Sequence, residues 1–141
     1  MSFNNIFGIA SSNLSAETTR LSTTATNMTN ANIVAGSPEE VYKPQYPVFQ
    51  AVQEDANQWI GSQVNRGGVQ VTGIYENDAE PVARFEPHNP MANEQGFVYA
   101  PSVNYAEEMA NMISASRSYQ MNVEMLETVK RLITRTIQLG E

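Results

Sequence analysis

The single histidine is the first candidate for catalysis, because histidine is the side chain that ordinarily titrates near neutral pH. His88 lies in a short segment between Pro87 and Pro90. A hydrolytic triad would need a serine and an acid held against it, and the sequence contains no nucleophile-elbow motif. We therefore expect His88 to be a solvent-exposed loop residue.

Two other short motifs contain residue types that could bind ions. Glu76, Asp78 and Glu80 could offer carboxylates to a cation, but the EF-hand spacing and its central glycine are missing, so we expect a solvated turn. Gly67-Gly68 lacks the lysine and the following helix of a phosphate-binding loop. The chain has no cysteine, which excludes disulfides and thiolate metal sites.

Methionines are concentrated toward the C-terminus, where a cofactor box would be one interpretation. At helical spacing such residues are more typical of core packing, and we interpret them in that way. They are Met109, Met112, Met121 and Met125. No constellation meets the requirements of catalysis, so we predict no enzyme activity and no cofactor, metal or small-molecule substrate.

The formal net charge of −7 is unevenly distributed. Residues 1–38 carry one acid and one base, residues 39–100 nine acids and three bases, and residues 101–141 five acids and four bases. This distribution provides no basic patch to neutralise phosphates, so we predict no nucleic-acid partner. The N-terminus has no basic and apolar signal pattern, and no run approaches the roughly 20 apolar residues of a membrane span.

Two apolar stripes near the ends of the chain predict two long helices. In the first, Phe7, Leu14, Leu21 and Met28 recur every seven residues and indicate a helix over 3–31. The second apolar stripe indicates a helix over 104–139, with Asn104 as its N-cap. The residues of this stripe, which we call its seam, are spaced alternately four and three positions apart. They are Tyr105, Met109, Met112, Ser116, Tyr119, Val123, Leu126, Lys130, Ile133 and Ile137.

The N-terminal helix leaves two alternatives open. Residues 11–32 contain fourteen Ser, Thr or Asn residues, which are mediocre helix formers because their side chains compete for backbone hydrogen bonds. One alternative is an amphipathic helix packed on the rest of its own domain. The other, our hypothesis for the isolated monomer, is a largely unstructured segment that orders inside an assembly.

The sequence pattern predicts short strands in the middle of the chain. Alternating apolar residues indicate strands within 69–75, 82–85 and 97–99, with turns over 76–81 and 86–96. Residues 41–52 alternate more loosely, and Pro44 and Pro47 make them an edge strand or an extended arm. We expect residues 53–66 to form a polar, outward-facing loop, in which Trp59 is either a local anchor or an interface contact. The predicted fold class is α+β. The two long helices form a coiled-coil-like α domain (residues 1–35 and 102–141), and a small irregular β segment (36–101) lies between them.

Several segments resemble one known family. The Asn-rich segment 25–32 resembles a motif near the N-terminus of bacterial flagellar rod and hook proteins. More specific matches follow in order at residues 86–92, 96–98, 107–109, 114–120 and 128–130. Over essentially its whole length the chain resembles the FlgC family of flagellar basal-body proximal rod proteins.

This resemblance implies a structural subunit that polymerises into the periplasm-spanning rod and transmits torque from the membrane ring toward the hook. It implies export through the flagellar type III apparatus without a cleavable signal peptide. The implied partners are other copies, other rod subunits and the junction between membrane ring and rod. The terminal helices would form the densely packed inner part of the tube, and the middle segment would face outward.

From the apolar seams and the Asn-rich motif we predict an assembly interface. Its residues are Phe7, Leu14, Leu21, Asn27, Met28, Asn30, Tyr105, Met109, Met112, Tyr119, Val123, Leu126, Ile133 and Ile137. The alternative function is a soluble binding module in which both helices pack on a small β-domain beside a ligand groove.

Overall fold

A computed structural model describes residues 3–52 and 67–139 of the chain. The prediction of a polar loop over 53–66, with Trp59, lies outside the described residues. Helix α1 spans Phe3–Asn30 and helix α2 spans Tyr105–Leu139. Between them lie a short 3-10 turn at Pro38–Glu40 and four strands, which are β1 at Gln45–Val52, β2 at Gly68–Glu76, β3 at Val82–Phe85 and β4 at Phe97–Ala100. The predicted α+β class is confirmed.

The two helices pack against each other along much of their length. They run antiparallel, because Asn27 near the end of α1 bonds to Glu108 near the start of α2, while Arg20, two turns earlier in α1, bonds to Asn111. The fully buried side chains of α1 are mostly small, so the helix axes can approach closely. These residues are Ala10, Ala16, Thr23, Thr24 and Asn27.

Helix α1 is continuous despite its unfavourable composition, and it packs on the rest of its own chain as in the first of the two alternatives. That this segment is largely unstructured in the isolated monomer stays a prediction. Five of its threonine hydroxyls donate to the backbone carbonyl four residues earlier, and they are Thr18, Thr19, Thr23, Thr26 and Thr29. Thr18 donates to Leu14 at 2.7 Å, and Thr29 donates to Ala25 at 2.8 Å. These bonds satisfy the hydroxyl groups without interrupting the helix, but they do not stabilise it. The stability of α1 therefore depends on its packing against α2.

Helix α2 begins as the sequence predicts. The side-chain oxygen of Asn104 accepts hydrogen bonds from the backbone N–H groups of Ala106 at 3.1 Å and Glu107 at 3.4 Å. These donors have no partner inside the helix, so Asn104 acts as the N-cap. Glu107 and Glu108 add negative charge in the first turn, where the helix dipole favours it.

The strands form two separate antiparallel pairs. Strand β1 pairs with β2, with an irregularity between Val48 and Phe49, and β3 pairs with β4. A single bridge between Ala35 and Tyr99 ties the segment after α1 to β4. In two-stranded sheets every strand is an edge, which explains why Pro47 is accepted within β1.

The turn over 86–96 is held by asparagine side chains. The Oδ1 atom of Asn93 accepts from the N–H groups of Gln95 and Phe97, and the Nδ2 atom of Asn89 donates to Glu86 at 2.9 Å. The rings of Phe85 and Phe97 meet edge to face with centroids 5.3 Å apart. His88 is exposed on this turn, as the sequence predicts.

The start of β2 approaches α1 so closely that only glycine fits. Gly68 has a φ of +135°, and a Cβ atom there would lie 2.5 Å from the Oγ atom of Ser12. The same Oγ accepts a hydrogen bond from the N–H of Val69 at 3.2 Å and donates to the carbonyl of Ile9 at 2.8 Å. Ser12 therefore fixes the docking of the β1–β2 pair on α1.

The Gly68→Ala variant is expected to lose about 2–3 kcal/mol of unfolding free energy, from backbone strain and the clash with Ser12. Gly73→Ala is the matched control, since nothing lies within 4 Å of a Cβ atom at that position. We expect this control to be unchanged or more stable by about 0.4–1 kcal/mol. Urea denaturation of both purified variants measures the difference, and equal stabilities would contradict the close approach.

Candidate assembly surface

The line of contact between α2 and α1 is rotated relative to the seam predicted from the large apolar residues. The side chains of α2 that are fully buried are Glu108, Ala115 and Val129, which lie at multiples of seven residues from one another. The predicted seam instead ran through the positions that follow each of them. The physical reason is the close approach of the helices, which puts small residues such as Ala115 on the contact line and larger ones beside it.

The predicted interface residues of α1 therefore lie beside the contact line. Phe7, Leu14, Leu21 and Met28 are all half-buried. Asn30 is also half-buried, and its amide donates to the carbonyl of Thr26 at 2.8 Å. These side chains use part of their surface in the chain's own fold and keep part of it available for contacts with neighbours.

The predicted interface residues of α2 divide into two groups. Met112, Val123, Leu126 and Ile133 are half-buried in the chain's own fold. The others are exposed, and they are Tyr105, Met109, Tyr119 and Ile137. The second group contributes little to the folding of the single chain, so its apolar surface is free for contacts between chains.

Further apolar residues of α2 are exposed although the sequence did not single them out as interface residues. They are Ile113, Met121, Met125 and Leu132. The interpretation of Met109, Met121 and Met125 as core packing is wrong, because each is more than 40% exposed, at 43%, 61% and 48% respectively. The sequence signal was their apolar character at helical spacing, but their exposure depends on which face of α2 packs on α1.

A buried polar junction lies at the end of the helix pair, and Asn27 is its centre with 0% exposure. Its Nδ2 atom donates to the Gln45 carbonyl at 3.0 Å and to Glu108 Oε1 at 3.3 Å. Its Oδ1 atom accepts from the Tyr42 hydroxyl at 2.8 Å and from the Gln45 N–H at 2.9 Å. The amide thus makes four hydrogen bonds, which join α1, the start of β1 and α2.

Asn27 consequently has a role different from the predicted one. The sequence grouped it with Asn30 in the assembly interface, whereas its amide is fully used inside the chain. We therefore leave Asn27 out of the assembly surface. No sequence signal distinguishes it from Asn30, because both belong to the same Asn-rich motif.

Glu108 is buried to 2% exposure, and its neighbours in the junction are hydrogen-bond donors. Besides Asn27, the Tyr46 hydroxyl hydrogen-bonds its carboxylate. Burial, and then the hydrogen bond to Glu108, raise the pKa of Tyr46 to about 12. Burial, and then the charge of Glu108, also raise the pKa of Tyr42. Both hydroxyls therefore stay protonated and able to donate.

The raised pKa of Tyr46 predicts loss of stability in alkali. Between pH 10, the ordinary tyrosine value, and about 12, the unfolded chain releases a proton that the folded chain keeps. Unfolding then becomes more favourable as pH rises, so stability should fall through this window. Thermal melts should show a smaller fall for Tyr46→Phe, while Tyr75→Phe, an exposed control, should follow the wild type. Identical profiles for all three would contradict this role of the junction.

The described residues contain no group of three or more His, Asp or Glu side chains placed to hold a metal ion. Glu76, Asp78 and Glu80 are all exposed, and Asp78 forms an ion pair with Lys43. Neither described helix is long and apolar enough to cross a membrane.

Comparisons with known proteins agree with one another. A family model described as flagellar basal body rod FlgEFG protein C-terminal matches residues 94–139. The chain is 43% identical over 141 residues to the flagellar basal-body rod protein FlgC of Yersinia enterocolitica, with 100% of both chains covered. Identity to the proteins of the same name from Escherichia coli O6:H1 and Salmonella typhimurium is 41% and 40%, again over 100% of both chains.

Proposed function

The chain belongs to the FlgC family of flagellar basal-body rod proteins, and from this premise we propose how it assembles. Full-length identity of 40–43% to proteins of that name carries the assignment. The protein is a structural subunit of the rod, located in the flagellar basal body. The proposal is that it polymerises through the outer surfaces of its terminal helices.

The observation that supports this proposal is the apolar surface that α2 leaves uncovered. Nine large apolar side chains on α2 are between 38% and 88% exposed, of which Tyr119 and Leu139 are the extremes. Exposed apolar surface of this kind is typical of sites where proteins contact one another. A long helix with one covered face and apolar flanks on either side is suited to packing among several neighbouring helices.

The same proposal assigns roles to the three parts of the chain. Residues 1–35 and 102–141 form the inner, helical part of the rod, and residues 36–101 face outward. The neighbours are other copies, other rod subunits and the junction with the membrane ring. The subunit passes torque toward the hook, reaches the periplasm-spanning rod through the flagellar type III apparatus, and performs no catalysis.

Met109 tests this proposal because it is 43% exposed and its side chain adds little to the fold of the single chain. Met109→Asp should keep the unfolding free energy within about 0.5 kcal/mol of wild type, since surface substitutions usually do. It should nevertheless prevent rod assembly, because a carboxylate enters an apolar contact between chains. Motility plates and isolation of basal bodies measure the outcome.

Met109→Leu is the matched control, since it keeps the volume and apolar character of the side chain and should restore motility. Immunoblots verify that each variant is made and exported. A motile strain carrying Met109→Asp would count against assembly through this flank of α2.

A further inference from the structure

Two exposed methionines on α2 lie next to each other on the helix surface. Met121 is 61% exposed and Met125 is 48% exposed, so solvent reaches both side chains. Residues four positions apart in a helix are surface neighbours, and we call these two the methionine pair. Leu132, which is 50% exposed and seven residues after Met125, continues the same apolar stripe.

The methionine pair lies on a different side of α2 from Met109. At about 100° per residue, Met121 and Met125 lie about 120° and about 160° around the helix axis from Met109. On the same scale the buried residues Ala115 and Val129 lie at about 240° and about 200°, so the contact line with α1 is next to Met125. A change at the methionine pair therefore alters a flank of α2 that Met109→Asp leaves intact.

The composition of the chain makes thioethers its main targets for oxidation by peroxides. The sequence has seven methionines and no cysteine, so no thiol competes for the oxidant. The sulfur lone pair attacks one oxygen of hydrogen peroxide, the S–O bond forms and the O–O bond breaks. Sulfur is oxidised by two electrons to a sulfoxide, and the peroxide is reduced to water. The sulfoxide is polar, so burying it in an apolar contact is unfavourable.

We propose that the methionine pair is a reversible oxidation site of the free subunit, at which a hydroperoxide forms sulfoxides that keep this flank of α2 from packing in the rod. The inference rests on the proposed assembly through the outer surfaces of the helices and adds a regulatory modification to it. A dithiol reductase reverses the reaction, because its two thiols supply two electrons, form a disulfide and release the oxygen as water.

The other described methionines provide internal comparisons. Met28 and Met112 are half-buried, so peroxide should reach them more slowly. Met91 is 51% exposed, but it lies in the turn over 86–96 of the β segment, away from the helices of the assembly surface. It should therefore be oxidised as readily as the methionine pair without any consequence for assembly.

Oxidation of the purified full-length chain with hydrogen peroxide at neutral pH tests the site itself. Peptide mass spectrometry should show Met121 and Met125 oxidised at least about fivefold faster than Met28 and Met112. Circular dichroism and the urea midpoint should not change as the pair is oxidised, and a sulfoxide reductase with a dithiol should remove both oxygens. Equal rates at all methionines, or unfolding that accompanies oxidation of the pair, would overturn the proposal.

Glutamine tests the consequence for assembly, because it has a similar length and a polar group in place of the thioether. A strain carrying Met121→Gln with Met125→Gln should yield at least about tenfold fewer basal bodies with a complete rod. Met121→Leu with Met125→Leu keeps the apolar volume and should assemble as wild type does. Met91→Gln is the matched polar control and should also assemble normally, and immunoblots verify that each variant is made.

Normal assembly of the glutamine double variant would reject the oxidation site. So would a lower urea midpoint of that variant, since the defect would then lie in the fold of the single chain. The proposed function is judged separately by Met109→Asp on the other flank. Loss of motility with Met109→Asp together with normal assembly of the glutamine variant would keep assembly through α2 and remove its control by oxidation.

Discussion

Asn27→Ala is expected to lose about 3–5 kcal/mol of unfolding free energy, one of the two largest effects in this molecule. The substitution removes four hydrogen bonds at once, to Gln45, Tyr42 and Glu108. The most costly consequence is at Glu108, which is 2% exposed and whose carboxylate would lose a hydrogen-bond donor. Chemical denaturation at neutral pH measures the change.

Asn30→Ala is the matched control, since it removes the same side chain from the same motif three residues later. Its amide makes a single local bond to Thr26, so the expected cost is within about 0.5 kcal/mol. If the two variants were equally stable, the junction would not hold the helix pair to the β segment. Hydrogen exchange on Asn27→Ala should also show weaker protection at both α1 and β1, because Asn27 joins them.

Leu126→Asp is expected to have the second large effect, because it should lower the stability of the folded chain and also prevent rod assembly. Leu126 is half-buried on α2, so a carboxylate there removes apolar burial and places a charge in a half-buried position. We expect a loss of about 2–4 kcal/mol of unfolding free energy, failure of rod assembly and non-motile cells. Leu126→Met, which keeps the apolar volume, should be motile.

The comparison between Leu126→Asp and Met109→Asp separates folding from assembly. The first should lower stability and abolish motility, whereas the second should abolish motility alone. Denaturation of purified chains, immunoblots and swimming assays on the same strains give both readouts. Full motility with Leu126→Asp would contradict a structural role for this face of α2.

The existence of the elements could be predicted from local sequence. Helix α2 follows from its apolar periodicity and from Asn104, whose side chain caps the first turn as expected. The strand at Val82–Phe85 was predicted at its exact bounds, because alternation and flanking turn residues are local signals. Periodicity and capping depend on neighbours within a few residues, so they need no knowledge of the rest of the fold.

Composition alone could not predict whether the α1 segment forms a continuous helix. Its Ser, Thr and Asn content argues against a stable helix, yet its small buried residues permit close packing on α2. Whether that packing offsets weak helix propensity depends on a partner about 80 residues away in the chain, as the bond from Asn27 to Glu108 shows. Propensity is local, whereas the contact that overrides it is not.

The sequence by itself determined the family, the α+β class and the absence of a recognisable catalytic motif. Tertiary structure alone decided which side of each helix is covered. The contact line passes through Ala115, which no hydrophobic scan selects, and it therefore leaves Met109, Met121 and Met125 in water. Tertiary structure also gave Asn27 and Asn30 different hydrogen-bond partners. Asn27 bonds to Glu108 of α2, whereas Asn30 bonds to Thr26 of its own helix, although both belong to one motif. Burial is a property of distant contacts, and these are fixed only when the helices and the β segment meet.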